Sequence, residues 1–120
     1  MRLFLCDDNS SYRKLARLAL ERAGHEIVGE AGNGREAIDL APAARADVLL
    51  LDLNMPVMDG FAALPHLRDA LPGTSLVVLT TGQARDERAR ALAAGADAFL
   101  VKPDRIFSLG DDLAAALGSA

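Results

Sequence analysis

Short apolar runs recur along this chain, and a polar residue follows four of them directly. Those four runs are residues 2–6, 48–51, 76–79 and 98–101, and the residues that follow them are Asp7, Asp52, Thr80 and Lys102. Apolar runs of about four to eight residues, bounded by polar or turn residues, are typical of strands buried on both faces. The segment from His25 to Ala31, which contains Ile27 and Val28, predicts a further short strand.

The stretches between these runs carry apolar residues at helical spacing. The first helix should begin near Asn9-Ser10-Ser11, whose side chains can cap it, and end at Gly24. The other predicted helices cover residues 35–41, 60–71 and about 84–94, and a last helix ends near Leu117. Pro42 is expected to make the second helix short or irregular, and Pro65 is expected to kink or restart the third.

Strand and helix thus alternate five times. This order predicts an α/β fold: a doubly wound, five-stranded parallel sheet with helices on both faces. A chain of 120 residues without a linker or a repeat fits one domain over residues 1–120.

Composition narrows the function classes. Hydrophobic residues make up 51% of the chain and charged residues 25%, which is ordinary for a globular protein. The net charge of −4 and the lack of a basic tract disfavour direct nucleic-acid binding by this chain. No apolar run is long enough to cross a bilayer. The single cysteine, Cys6, excludes an intramolecular disulfide, and we expect a reducing, cytoplasmic location.

The polar residues after the strands are candidates for chemistry, because the carboxyl ends of parallel strands meet at one edge of a sheet. Asp7, Asp8 and Asp52 would bring several negative charges together there. Mg²⁺ is the cation that such oxygen ligands suit best. Lys102, held between a buried strand and Pro103, could neutralise the acids or bind a phosphoryl oxygen. Taken singly, each is more simply a solvated strand-end residue; the combination favours a site.

The same residues carry a resemblance to a known family. The Asp7-Asp8 pair, the segments 52–60, 77–80 and 94–99, and the pair Lys102-Pro103 occur in the order and spacing of a response regulator receiver domain. The chain resembles these domains of bacterial two-component systems over nearly its whole length. The resemblance implies a flavodoxin-like fold similar to the single-domain chemotaxis regulators.

The resemblance also implies a role for each matching position. Asp52 would accept the phosphoryl group, while Asp7, Asp8 and Asp52, with the backbone carbonyl of Asn54, would bind Mg²⁺. Thr80 and Lys102 would contact the phosphoryl group. Phe99 would be the aromatic side chain that changes rotamer when Thr80 moves.

Some positions, Pro42 and Pro65 among them, depart from the common pattern of the family. Thr81 follows Thr80 at a position where the family usually has Ala, Gly or Ser. Because threonine is larger, we expect it to narrow access to Asp52. Gly82, like Asn54, stands at a position that tunes how long the phosphate persists, and it offers no side chain to position water.

The function implied is a phosphorylatable switch rather than an enzyme acting on other substrates. A sensor histidine kinase or a phosphotransfer protein would phosphorylate Asp52, and the surface of the last two helices would change for a downstream protein or an effector domain. A phosphorylation-dependent homodimer is one open outcome.

Two alternatives remain at this point. One is a phosphate-independent interaction module, and the other is a phosphohydrolase with an aspartate nucleophile, which Asn54 disfavours because such enzymes usually carry a second Asp there. Whether the chain is a stand-alone receiver or the N-terminal part of a longer, DNA-binding regulator also stays open.

Overall fold

The four apolar runs and the segment from His25 to Ala31 form the strands of one parallel sheet. The computed structural model describes residues 1–81 and 85–118. Its strands are β1 (Arg2–Cys6), β2 (Glu26–Ala31), β3 (Val48–Leu51), β4 (Ser75–Thr80) and β5 (Ala98–Val101). They lie side by side in the order β2-β1-β3-β4-β5, and every neighbouring pair is parallel. The predicted α/β class and the doubly wound sheet are therefore confirmed.

Five helices connect or follow the strands. They are α1 (Ser10–Arg22), α2 (Gly34–Ala44), α3 (Gly60–Ala70), α4 (Arg85–Ala94) and α5 (Leu109–Ala116), the last preceded by a 3₁₀ turn over Ile106–Ser108. The side chains of Asn9, Asn33 and Asp59 each accept a hydrogen bond from a backbone N–H in the first turn of α1, α2 and α3. These caps satisfy donors that a helix start leaves unpaired. Gly82, predicted to affect how long the phosphate persists, and Ala84, the predicted start of the fourth helix, lie outside the described residues.

Alternate strand residues face opposite helical layers. In β3, Leu49 and Leu51 pack with α2, α3 and α4, whereas Val48 and Leu50 pack with α1 and α5. The period of two along a strand produces this division. Both faces of the sheet are covered, which explains why the strands are apolar almost throughout.

The prediction for Pro42 was wrong. Helix α2 does not stop at Ala41 but continues through Pro42 to Ala44. The guanidinium of Arg2 donates hydrogen bonds to the carbonyls of Ala44 and Arg45, at 2.8 and 3.1 Å. Because those carbonyls lack helical partners, the long-range contact stabilises a last turn that local sequence disfavours.

The predicted restart at Pro65 is also wrong. Helix α3 is one helix from Gly60 to Ala70, with Pro65 on its exposed side. Ala63, Leu64 and Leu67 on the other side are fully buried. Burial of that face holds the helix together although the proline removes one backbone hydrogen bond.

No peptide bond among the described residues is cis. None of the described helices is sufficiently long and apolar to cross a membrane.

Candidate functional site

The carboxyl ends of β1 and β3 bring two of the acids together. Cys6 pairs with Leu51 in the parallel register, so the next residues, Asp7 and Asp52, leave the sheet side by side. The N–H of Asp52 donates to the carbonyl of Cys6 at 2.9 Å, which extends the pairing by one residue. Asp7 and Asp52 are both buried.

Asp8 completes an acidic cluster. Carboxylate oxygens of Asp7, Asp8 and Asp52 all lie within 4.8 Å of one another. Asp8 is exposed, whereas the other two are buried, so the cluster opens to solvent at one side. The sequence prediction that these three acids converge is confirmed.

The environment of Asp52 disfavours its charged form. Burial raises the pKa of the Asp52 carboxyl, and the nearby charge of Asp7 raises it further. The Lys102 ammonium and the backbone N–H groups of Asn54 and Leu53 act in the opposite direction and lower the pKa. The net direction is upward, because removal from water outweighs the favourable contacts.

Lys102 reaches the cluster from β5, two strands away from β3. Its Nζ lies 2.6 Å from Oδ2 of Asp7 and 3.5 Å from Oδ2 of Asp52. The Lys102 side chain is only 12% exposed. Its backbone N–H donates to the carbonyl of Thr80 at 2.8 Å, which fixes the point where the side chain starts. The expected convergence of the lysine with the acids is therefore observed.

Backbone donors follow Asp52 directly. The N–H of Leu53 donates to Oδ1 of Asp52 at 2.7 Å, and the N–H of Asn54 lies 3.5 Å from the same oxygen. Asn54 itself is exposed. Its backbone is therefore close to the buried carboxylate while its side chain is accessible to solvent.

Thr80 and Phe99 share one face of the sheet. Thr80 is fully buried at the end of β4 and pairs with Val101, whereas Phe99 pairs with Val78. Residues two apart on a strand face the same side, so Phe99 lies diagonal to Thr80 on the neighbouring strand. Phe99 is buried in the layer that contains α2, α3 and α4. This placement brings the two residues expected to switch together into neighbouring positions.

The remaining predicted position, Thr81, is exposed. The effect of Thr81 on access to Asp52 remains a prediction.

Sequence reasoning missed Tyr12. The Nζ of Lys102 lies 4.1 Å from the centre of the Tyr12 ring, a distance typical of a cation–π contact. The Tyr12 hydroxyl is buried and has no hydrogen-bond partner among the residues that the structure describes. Burial and the charges of Asp7 and Asp52 raise the pKa of Tyr12 to about 12. A signal was available, since Tyr12 is the chain's single tyrosine and follows the acid pair by one helical turn.

Arg13 is a second residue that the sequence did not reveal. Its guanidinium donates to the backbone carbonyl of Asp7 and, at 3.0 Å, to Oε1 of Glu30 on β2. Helix α1 is thus tied to the loop that carries the acids.

Comparison with known proteins decides the family. The model of the response regulator receiver domain matches residues 3–111. The chain is a response regulator receiver domain. It is 31% identical to the chemotaxis protein CheY of Thermotoga maritima over 102 residues, which cover 85% of each chain. It is also 39% identical to the transcriptional regulatory protein PdtaR of Mycobacterium tuberculosis over 110 residues, 92% of this chain but 52% of the relative.

Solved structures agree with this assignment. The receiver domain of the response regulator NarL from Mycobacterium tuberculosis superposes with a TM-score of 0.87 at 31% identity, covering 98% of this chain and 96% of that one. The receiver domain spans about half or less of the length of several curated relatives, which include protein-glutamate methylesterases. The resemblance inferred from Asp7-Asp8, Asp52 and Lys102-Pro103 is confirmed.

The acidic cluster fits a magnesium site by its donor chemistry. Three carboxylates within 4.8 Å offer hard oxygen ligands, and one of them is open to solvent. Mg²⁺ prefers one or two carboxylates together with water molecules, which a partly open cluster allows. Repulsion among the acids would also be relieved by a bound cation.

Proposed function

We propose that this receiver domain accepts a phosphoryl group on Asp52. The observation that carries the proposal is the set of distances around that carboxylate: Lys102 Nζ at 3.5 Å and oxygens of Asp7 and Asp8 within 4.8 Å. A buried nucleophile with a cation beside it and a metal-type cluster next to it matches the needs of phosphoryl transfer.

In the proposed step, a carboxylate oxygen of Asp52 forms a bond to phosphorus. The bond from phosphorus to the leaving group breaks, and the leaving group keeps the electron pair. Negative charge spreads over the three other phosphoryl oxygens in the transition state. The Lys102 ammonium and the N–H of Asn54 lie close enough to Asp52 to stabilise that charge.

We propose that Asp7, Asp8, Asp52 and the carbonyl of Asn54 hold Mg²⁺. When bound, the cation supplies neutralisation of the acids and of the phosphoryl oxygens. Asp7 is already engaged by Lys102 at 2.6 Å, so Asp7 has to share its charge between the lysine and the metal.

We propose that Thr80 and Phe99 convert phosphorylation into a change of surface. A phosphoryl group on Asp52 offers new acceptor oxygens, and the Thr80 hydroxyl can donate to one of them. Movement of Thr80 would free or close the space beside Phe99, which lies diagonal to it on β5. The two packings would then differ in population, and the surface of α4 and α5 would carry the difference.

Partners follow from this mechanism as proposals. A sensor histidine kinase or a phosphotransfer protein would supply the phosphoryl group, and a downstream protein or an effector domain would respond to the altered surface. A phosphorylation-dependent homodimer is a further form of output.

The domain would catalyse only its own phosphorylation and dephosphorylation. The buried Cys6 thiol, whose pKa burial raises to about 12, is compatible with the proposed cytoplasmic location.

The test is incubation with acetyl phosphate and Mg²⁺, followed by intact-mass measurement. We expect a gain of one phosphoryl group that hydroxylamine removes, since an aspartyl phosphate is a mixed anhydride. Asp52→Asn should not gain mass, whereas the matched variant Asp47→Asn, at the other end of β3, should behave as wild type. Mass gain that persists in Asp52→Asn would exclude this residue as the acceptor.

A binding assay separates the proposal from phosphate-independent interaction. Equal binding of an output partner by wild type and Asp52→Ala, with and without acetyl phosphate, would favour an interaction module. Turnover of a generic phosphate ester would instead favour a phosphohydrolase.

A further inference from the structure

Tyr12 contacts the lysine of the proposed site through the face of its ring. The ring centre lies 4.1 Å from Lys102 Nζ, and Tyr12, Asp7 and Asp52 line one cavity of about 10 Å³. The tyrosine therefore belongs to the site spatially, although no role in the proposed phosphotransfer has so far been given to it.

The helical turn that carries the Tyr12 ring is anchored by several contacts. The Tyr12 N–H donates to Oδ1 of Asn9 at 3.0 Å in the first turn of α1. The next residue, Arg13, bonds the backbone carbonyl of Asp7 and the carboxylate of Glu30. The ring is also half-buried against the layer that contains α1 and α5. The hydrogen bonds anchor the first turn of α1 relative to Asp7, and the packing restrains the ring that this turn carries.

Lys102 needs such a support because its carboxylate contacts are unequal. Nζ lies 2.6 Å from Asp7 but 3.5 Å from Asp52, the proposed nucleophile. The lysine ammonium is carried on a flexible chain of four carbons, which does not by itself hold the ammonium in one position. An aromatic face attracts the ammonium without accepting a directed hydrogen bond, so the N–H donors remain available to oxygen atoms.

A cation bound by the acids would make this support more important. Positive charge shared by Asp7 and Asp52 weakens their attraction for the lysine, whereas a neutral ring keeps its attraction. The phenol is neutral near pH 7 even at its ordinary pKa of 10, and burial raises the pKa of Tyr12 further, to about 12.

We propose that Tyr12 is a positioning residue, which holds the Lys102 ammonium beside Asp52 through its ring and so prepares it for the incoming phosphoryl oxygen. The inference rests on the proposed phosphotransfer function. It assigns the role to the ring and not to the hydroxyl, since the buried hydroxyl has no hydrogen-bond partner within residues 1–81 and 85–118.

The first test measures the contact in the metal-free protein and needs no phosphorylation. The ε-methylene protons of Lys102 should be shifted upfield by the ring current in wild type and in Tyr12→Phe. In the ring-free variants Tyr12→Leu and Tyr12→Met the shift should be lost. Two ring-free variants are used so that poor folding of one leaves the test intact. Identical Lys102 signals in all four proteins would overturn the proposal.

The second test measures the second-order rate constant of phosphorylation by acetyl phosphate. Tyr12→Phe should keep the wild-type rate within about twofold, whereas Tyr12→Leu should lose about fivefold, the size expected for one partly buried cation–π contact. In the Lys102→Met background, Tyr12→Leu should cause no further loss, because the ring acts through the lysine.

The outcomes distinguish the two proposals. A wild-type protein that is phosphorylated, together with a Tyr12→Leu variant of equal rate, would overturn the role of Tyr12 and leave the function standing. The same fivefold loss in both Lys102 backgrounds would mean that Tyr12 acts only on the fold. Failure of wild type to be phosphorylated would overturn the proposed function itself.

Discussion

The two ends of the sheet treat their aspartates in opposite ways. At the amino end, Asp47 and Asp97 each stand one residue before a strand, and each accepts a hydrogen bond from a backbone N–H of a neighbouring strand. The N–H of Arg2 donates to Asp47 at 2.8 Å, and the N–H of Leu76 donates to Asp97 at 2.7 Å. At the carboxyl end, Asp7, Asp8 and Asp52 crowd within 4.8 Å of one another.

The difference lies in how the charge is balanced. Asp97 also meets the Arg68 guanidinium at 2.9 Å, and the same guanidinium donates to the carbonyls of Leu71 and Thr74. At the other end, one ammonium, that of Lys102, is within ion-pair distance of both Asp7 and Asp52. The amino end is therefore built for stability, whereas the carboxyl end keeps unrelieved charge that a cation and a phosphoryl group can use.

The largest expected effect is at the amino end. Arg68→Met should lower the free energy of unfolding by about 2 to 4 kcal/mol, because it leaves Asp97 without its cation and removes the guanidinium donor from the carbonyls of Leu71 and Thr74. Urea unfolding measures this. Arg68→Lys keeps the positive charge but not the forked donors of the guanidinium. Its free energy of unfolding should therefore lie between those of wild type and Arg68→Met. Wild-type stability of Arg68→Met would contradict the structural role of this end.

Removing a charge at the carboxyl end should raise the free energy of unfolding, whereas Arg68→Met at the amino end should lower it. Asp52→Asn should raise the free energy of unfolding at pH 7 by about 1 to 3 kcal/mol, because it removes like-charge repulsion among buried acids. Asp47→Ala, the matched change at the amino end, should lower it by about 1 kcal/mol, because the N–H of Arg2 loses its acceptor.

The pH dependence of stability sharpens this prediction. Because the pKa of Asp52 is raised on folding, the folded protein binds this proton more tightly than the unfolded chain. Its contribution to stability therefore falls as the pH rises from the ordinary value near 3.8 through the higher value of the folded state. Asp52→Asn should lack this part of the slope in denaturant unfolding measured from pH 4 upward. An identical slope in both proteins would place the Asp52 pKa at its ordinary value.

Magnesium should stabilise the carboxyl end specifically. At a concentration about ten times its dissociation constant, Mg²⁺ should raise the free energy of unfolding by about 1.4 kcal/mol. Thermal unfolding with and without EDTA measures the shift. Asp8→Asn should weaken it, since Asp8 is the exposed ligand of the proposed site, whereas Arg68→Lys should leave it intact. An equal shift in Asp8→Asn would exclude this cluster as the binding site.

The smallest expected effect concerns backbone strain. Val57, in the loop after Asp52, has a positive φ of 66° and is 85% exposed. A β-branched residue is poorly suited to this conformation, whereas Asn adopts it more readily. Val57→Asn should therefore raise the free energy of unfolding by about 1 kcal/mol, measured by thermal unfolding. Val57→Thr keeps the branch and should give no gain.

Most of the fold could be predicted because strands that are buried on both faces need apolar residues at nearly every position, and such runs are visible in the sequence. The exceptions, Pro42 and Pro65, share one cause. Local propensity disfavours a helix at both positions, yet tertiary contacts override it: hydrogen bonds from Arg2 in one case, a buried face with Leu64 and Leu67 in the other.

The candidate site was predictable to the extent that strand ends define it. Asp7, Asp52 and Lys102 each follow a strand directly, so the parallel topology brings them together. Tyr12 and Arg13 act from α1, and the rotation of that helix over the sheet is set by packing. No periodicity in the sequence specifies which side chain of the first turn then faces Lys102.

One glycine carries a consequence for how this domain can vary. Gly60 begins α3 so close to the backbone behind Asp52 that an added Cβ would lie 2.3 Å from the carbonyl oxygen of Asp52. The neighbour is main chain, so no side-chain rotation can relieve the overlap. A saturation library at position 60, sorted first for folding and then for phosphorylation, should return glycine almost alone, because even a methyl group there would push the acceptor residue out of register.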